Sequence, residues 1–264
     1  ITCRDWSSDV CSSDLIGAIS GLFFFYGLHR LARYLYPSQH IPAFLLLISS
    51  GLIVMFFGYV ESYAITAALF PYLILTALCT LEQRTSPLRF VLLYVLATLV
   101  HLVSGILFFP VLVLVLISTR RSGDTAPPNP AFWPVLLTVA AFSTGLIGAA
   151  LGIGMLDRNL LPIVADPAHP QGVASPGHLA IIANWLLLSG LPALALLPAL
   201  VRAVWRQRPA LSLSTALALS LALSSMLFVL LFNPQLGGAR DWDLFSLPAF
   251  LLIPAPLMVA RRWI

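Results

Sequence analysis

The densest run of chemistry-bearing residues is Asn233-Pro234-Gln235-Leu236-Gly237-Gly238-Ala239-Arg240-Asp241-Trp242-Asp243-Leu244-Phe245-Ser246. Asp241 and Asp243, two apart, could hold a divalent cation through carboxylate oxygens, with the cation gripping a phosphate. Arg240 could instead bind the phosphate directly as a planar fork. The same residues also allow plainer roles. Arg240 and Asp241 can neutralise one another, and Asp243 can cap the helix that follows. A second motif is Gly58-Tyr59-Val60-Glu61-Ser62-Tyr63, which sets a carboxylate and two phenols between long apolar runs. A carboxylate so close to hydrocarbon is costly unless it faces a wet cavity or a partner, so Glu61 and Tyr63 read as substrate contacts, or Glu61 as a hydrated interfacial acid. A third candidate is His101 in Val100-His101-Leu102-Val103-Ser104-Gly105, which could donate to a phosphate, relay a proton or be hydrogen-bonded structure.

The stretch 157–178 carries Asp157, Arg158, Asp166, His169 and His178 among prolines. His169 and His178 are too far apart for a local metal site without a third ligand, so this stretch reads as a flexible cap. No Gly-Lys-Ser/Thr phosphate loop, G-x-S-x-G elbow, H-E-x-x-H pair or G-x-G-x-x-G turn occurs. Nucleotide chemistry has no support.

The elements that must position these residues follow from composition. Of 264 residues, 59% are hydrophobic and 9% charged, against about 25% charged in a soluble domain. A water-soluble chain of this size could not hide so much apolar surface. The chain therefore reads as an all-α, polytopic transmembrane helical bundle. Nine apolar segments are expected, at roughly 15–28, 42–59, 63–81, 90–101, 103–118, 131–155, 178–200, 210–232 and 245–260. The run 90–118 is treated as a short helical pair. As one helix it would be about 43 Å long, against a hydrocarbon core of about 30 Å. His101, Ser104 and Gly105 mark a polar turn near its middle.

The charge pattern supports that split. With it, Arg30, Arg33, Arg84, Arg89, Arg120, Arg121, Arg202, Arg206, Arg208, Arg261 and Arg262 share one side, and only Arg158 and Arg240 face the other. The excess places the first group in the cytoplasm. Glu61, His101 and Arg240–Asp243 then share the extracytoplasmic face. The arginines read as headgroup anchors, so membrane lipids are expected partners and nucleic acid is not.

Residues 1–15 do not belong to this picture. Asp5–Leu15 is what a common sequencing-library adapter encodes, and the texture changes abruptly at Leu15. Residues 1–15 are set aside as an adapter-derived artefact, and 16–264 is read as one helical transmembrane domain, itself a fragment. What remains carries 13 Arg against 7 acids.

Three features together resemble the GT-C class of bacterial integral-membrane glycosyltransferases, in its mannosyltransferase-like and aminoarabinose-transferase-like groups. They are Phe57-Gly58-Tyr59-Val60-Glu61-Ser62-Tyr63 at a helix boundary, a helix opened by His101 and ending at Pro110, and Arg240-Asp241-Trp242-Asp243-Leu244-Phe245 before the last helix. The resemblance implies transfer of a sugar from a polyprenyl-phosphate carrier on the extracytoplasmic face of the bacterial plasma membrane. It implies Glu61, Tyr63, His101, Arg240, Asp241 and Asp243 as substrate-binding residues, with a divalent cation on Asp241 and Asp243 as an option. Members keep their principal catalytic carboxylate in the first outer loop. That loop would fall just before residue 16, so the catalytic acid is expected outside this chain, which alone would be inactive. Competing expectations are a transporter or flippase of lipid-linked saccharides and a surface-polysaccharide polymerase or ligase.

Overall fold

The computed structural model describes residues 6–56, 63–120, 137–142, 144–145, 148, 152, 160–162, 172–188, 190–207, 212–232 and 242–261. Among these residues the chain is helical, with one isolated bridge between Leu160 and Phe232 and no strand. The helices are α1 (Trp6–Leu35), α2 (His40–Ile48), α3 (Tyr63–Leu81), α4 (Pro87–Val100), α5 (Phe108–Arg120), α6 (Pro176–Leu188), α7 (Leu191–Gln207), α8 (Leu213–Leu231), α9 (Trp242–Leu252) and α10 (Pro254–Ala260). Two 3-10 segments, Gly51–Phe56 and Leu102–Leu107, interrupt the series.

Among the described residues three helices are long and apolar enough to cross a membrane: Leu15–Leu35, Tyr63–Leu81 and Leu213–Leu231. At 1.5 Å per residue, 19 residues reach about 28 Å, close to the hydrocarbon thickness. Exposed faces of the bundle are apolar too. Leu88, Leu92, Leu96 and Leu99 form one exposed row on α4, and Leu219, Leu223 and Met226 another on α8. Water would not tolerate such rows, whereas acyl chains would cover them.

Nine crossing helices are not what the described residues show. The segment expected at 15–28 continues to Leu35, because Arg30 turns its guanidinium back onto the Tyr26 ring and hydroxyl while Leu28, Leu31 and Leu35 stay buried. The segment expected at 42–59 ends as an α-helix at Ile48, where the Ser49 hydroxyl donates to the Leu46 carbonyl at 2.7 Å. The segment expected at 178–200 breaks at Gly190, and α6 meets the start of α7 at 85°. Pro192 in the first turn of α7 lacks the amide that would carry α6 onward, and a Cβ at Gly190 would crowd the Leu186 carbonyl oxygen at 3.1 Å. Pro254 likewise divides α9 from α10. The expected segment 131–155 falls largely outside the described residues.

Packing fixes the direction of the helices. Tyr72 of α3 donates to the Phe23 carbonyl of α1 at 2.9 Å, and further along both helices the Arg84 guanidinium lies over the Tyr34 ring. Phe24 meets Phe250 at 5.4 Å between ring centroids, and Tyr36 donates to the Leu257 carbonyl at 2.7 Å. So α1, α3 and the α9–α10 pair run parallel, and all three end together. Gly27 sits at the α1–α3 contact, where a Cβ would come within 2.8 Å of Tyr72. A small residue there lets two backbones approach.

Where these helices end, Glu82 forms a clamp. One carboxylate oxygen takes Arg261 Nη1 at 2.8 Å and the other takes Arg84 Nε at 3.0 Å. Both guanidinium groups also lie over the Tyr34 ring. The turn that carries Glu82 is tight. Gln83 adopts φ 60°, a conformation usually left to glycine, and the Arg84 amide closes onto the Cys79 carbonyl at 2.8 Å. Burial pushes the Glu82 carboxyl up, but the nearby Tyr34 hydroxyl and the two arginines outweigh it and hold the group below its ordinary value. The Tyr34 hydroxyl is buried and, despite facing Glu82, meets no partner at hydrogen-bond geometry, so it acts as a nearby dipole. Burial raises Tyr36 to about 12, with Arg261 pulling the other way.

Two tests follow from this packing. Gly27→Val should cost about 2 kcal/mol by overpacking the α1–α3 contact, read as a lower midpoint of thermal unfolding in detergent. Glu82→Gln should cost about 1 kcal/mol, since the clamp is partly open to solvent. Because the folded carboxyl titrates below the unfolded one, the clamp contributes fully above the ordinary carboxylate range and fades as pH falls through the lowered value. The midpoints of wild type and Glu82→Gln should therefore converge in acid and stay apart at neutral pH.

Candidate functional site

The bundle end opposite the clamp is where α3 begins and α4 stops. Tyr63 opens α3, and α4 ends at Val100. The chain breaks at His101, as the length of the 90–118 run required, and continues as the 3-10 segment Leu102–Leu107 before α5. The break puts the His101 ring against the Tyr63 ring, with centroids 4.3 Å apart and planes inclined by 44°. Two motifs distant in sequence thus meet side by side, both half-buried at the helix ends.

His101 repairs the backbone it interrupts. Its own amide donates to the Ala97 carbonyl at 3.0 Å, which closes α4. Its Nδ1 accepts the Val103 amide at 3.1 Å, which opens the 3-10 segment. With Nδ1 engaged as an acceptor, the neutral ring carries its proton on Nε2 and offers a donor there. Ser104, fully buried, donates from Oγ to the Ala97 carbonyl at 3.0 Å across the break. Thr98 returns its hydroxyl to the Tyr94 carbonyl at 2.9 Å. The imidazole is thereby fixed from below by the backbone, and an Nε2 donor of this kind suits a phosphate or carboxylate oxygen. The Tyr63 ring beside it adds an apolar face of the kind that covers a sugar or a prenyl chain.

The other expected contacts are placed less fully. Asp243 lies in the first turn of α9, as a backbone position. Since α9–α10 runs toward the clamp, this turn is at the Tyr63–His101 end. Glu61, Arg240 and Asp241 lie outside the described residues, as do Asp157, Arg158, Asp166 and His169. A cation held by Asp241 and Asp243 falls there too. Among the described residues no group of three His, Cys, Asp or Glu could hold a metal ion.

His178, expected in the cap stretch, is instead fully buried in the first turn of α6. Its Nε2 donates to the Leu230 carbonyl of α8 at 2.9 Å, since a carbonyl can only accept. It ties two helices together. The proline-rich sequence before it conceals that role, because the partner is a backbone oxygen fifty-two residues away.

Comparison of the chain with protein-family models, with curated proteins and with solved structures finds no match. The site must therefore be argued from its own geometry. His101→Ala should cost about 1 kcal/mol through loss of the Val103 cap, whereas His101→Asn keeps an acceptor at the Nδ1 position and should unfold close to wild type in detergent. Equal losses in the two variants would show that the cap is not what His101 contributes to the fold.

Proposed function

We propose that this chain belongs to an integral-membrane glycosyltransferase of the GT-C type, which takes a sugar from a polyprenyl-phosphate carrier on the extracytoplasmic face of a bacterial plasma membrane. The observation that carries this reading is the meeting of Tyr63 and His101 at the bundle end away from the Glu82–Arg84–Arg261 clamp. On this reading the clamp end is cytoplasmic, in keeping with the arginine excess, and the Tyr63–His101 end opens outward. His101 Nε2 holds an oxygen of the carrier phosphate while negative charge grows on it as the glycosidic bond breaks. Tyr63 lies along the sugar or the first prenyl unit. Glu61, Arg240, Asp241 and Asp243 complete the phosphate and acceptor contacts, with or without a divalent cation. A carboxylate must still take the acceptor's proton.

The 85° break between α6 and α7 favours a second reading, since discontinuous helices are a hallmark of transporters. A flippase of lipid-linked saccharides would use the same carrier without chemistry.

One assay separates the two. In the intact gene product, His101→Asn should keep the fold and lower sugar transfer from a polyprenyl-phosphate donor by about a hundredfold, the usual effect of removing one donor from developing charge. Glu61→Gln and Asp241→Asn should lower it as well. Wild-type transfer in all three would remove these residues from the mechanism. Carrier movement across vesicles with no transfer product would favour the flippase.

A further inference from the structure

Away from the Tyr63–His101 end, Leu197, Pro198, Val201, Arg202 and Trp205 border an open groove of about 520 Å³ on α7. Leu197, Val201 and Trp205 are four apart and form one row along the helix. The row faces outward, with Trp205 79% exposed. An indole so exposed is a liability in water, but it suits the membrane interface, where the ring meets acyl carbon and the N–H meets headgroups. Arg202 sits beside the indole and forms no ion pair among the described residues. The groove is thus apolar from Leu197 to Val201 and cationic with an indole beyond.

The placement of α7 agrees with that polarity. It turns away from α6 by 85° and packs against α10, whose end carries Arg261 of the clamp. A helix that turns by 85° from its neighbour and packs on α10, with an apolar row and a basic C-terminal turn, has the form of an interfacial amphipathic helix. A groove with one cation above a short apolar trough is the complement of a single anionic lipid.

We propose that α7 lies along the membrane surface at the clamp end and that its groove holds one anionic phospholipid, with acyl carbons along Leu197, Pro198 and Val201 and the phosphate on Arg202. This inference needs only that the protein sits in a bilayer and does not depend on the glycosyltransferase reading.

The test uses the full chain in phosphatidylcholine nanodiscs that contain, at equal mole fraction, either acyl-brominated phosphatidylglycerol or acyl-brominated phosphatidylcholine. The Trp205 signal is the difference between wild type and Trp205→Phe. Brominated phosphatidylglycerol should quench it about fivefold more effectively than brominated phosphatidylcholine, the worth of one cation at an anionic surface. In Arg202→Gln both lipids should quench Trp205 equally. Equal quenching in wild type, or a preference that survives Arg202→Gln, overturns the proposal. So does a Trp205 shielded from both lipids, and shielding that grows with the protein-to-lipid ratio would show that a second copy covers the groove.

Discussion

Inside hydrocarbon, a peptide amide or carbonyl has no water to turn to, so a helix can stop only where something else takes up its orphaned groups. Most of this structure follows from that constraint. At Ile48 the Ser49 hydroxyl takes the Leu46 carbonyl. At Val100 the His101 ring takes the Val103 amide, and Ser104 reaches back to Ala97. At Leu231 the next carbonyl backward is met by His178 and that of Leu231 itself by the Leu161 amide. A residue used to end a helix is also held rigidly, and its remaining polar edge is aimed. In His101 one nitrogen serves the backbone, and the ring lies against Tyr63 at the bundle end.

The same constraint explains how far the sequence could be read. The interruption at His101 was legible because 29 unbroken apolar residues overrun a bilayer, and only the histidine and the Ser-Gly pair offered a stopping point. The gathering of Arg84 and Arg261 at one end was legible from charge alone. Their convergence on Glu82 was not, because the pairing joins helices far apart in the chain. The break at Gly190 was missed because hydropathy does not register a change of direction. The apolar count runs on through Leu188 and Leu191 although the backbone turns by 85°. Of the expected contacts, Tyr63 and His101 were found as separate motifs, and only the α3–α4 turn shows that they are neighbours.

The two ends of the bundle also differ in kind. At the clamp end, Glu82, Arg84 and Arg261 neutralise one another over an aromatic ring, and the tyrosines nearby are locked into burial or backbone bonds. At the other end Tyr63 and His101 are half-buried, and His101 is held by the backbone. Charges that satisfy one another hold helices in register, whereas a ring braced by the backbone is held in one orientation at the helix ends. The physical contrast between the ends is what makes one of them a candidate for binding and the other a fastening.

The span of the Glu82–Arg261 bond, 179 residues, has a meaning in time as well as in space. A ribosome adding about 5–20 residues per second needs roughly 10–40 s to travel from one partner to the other. Throughout that interval Glu82 has only Arg84 to hold it, and α1 and α3 stand in the membrane without the strut that later joins them to α10. The bond closes when α10 arrives and cannot close before, so it joins the early helices to a late one. A chain stalled or shortened before Arg261 would keep its early helices and lack the latch that ties them to α10.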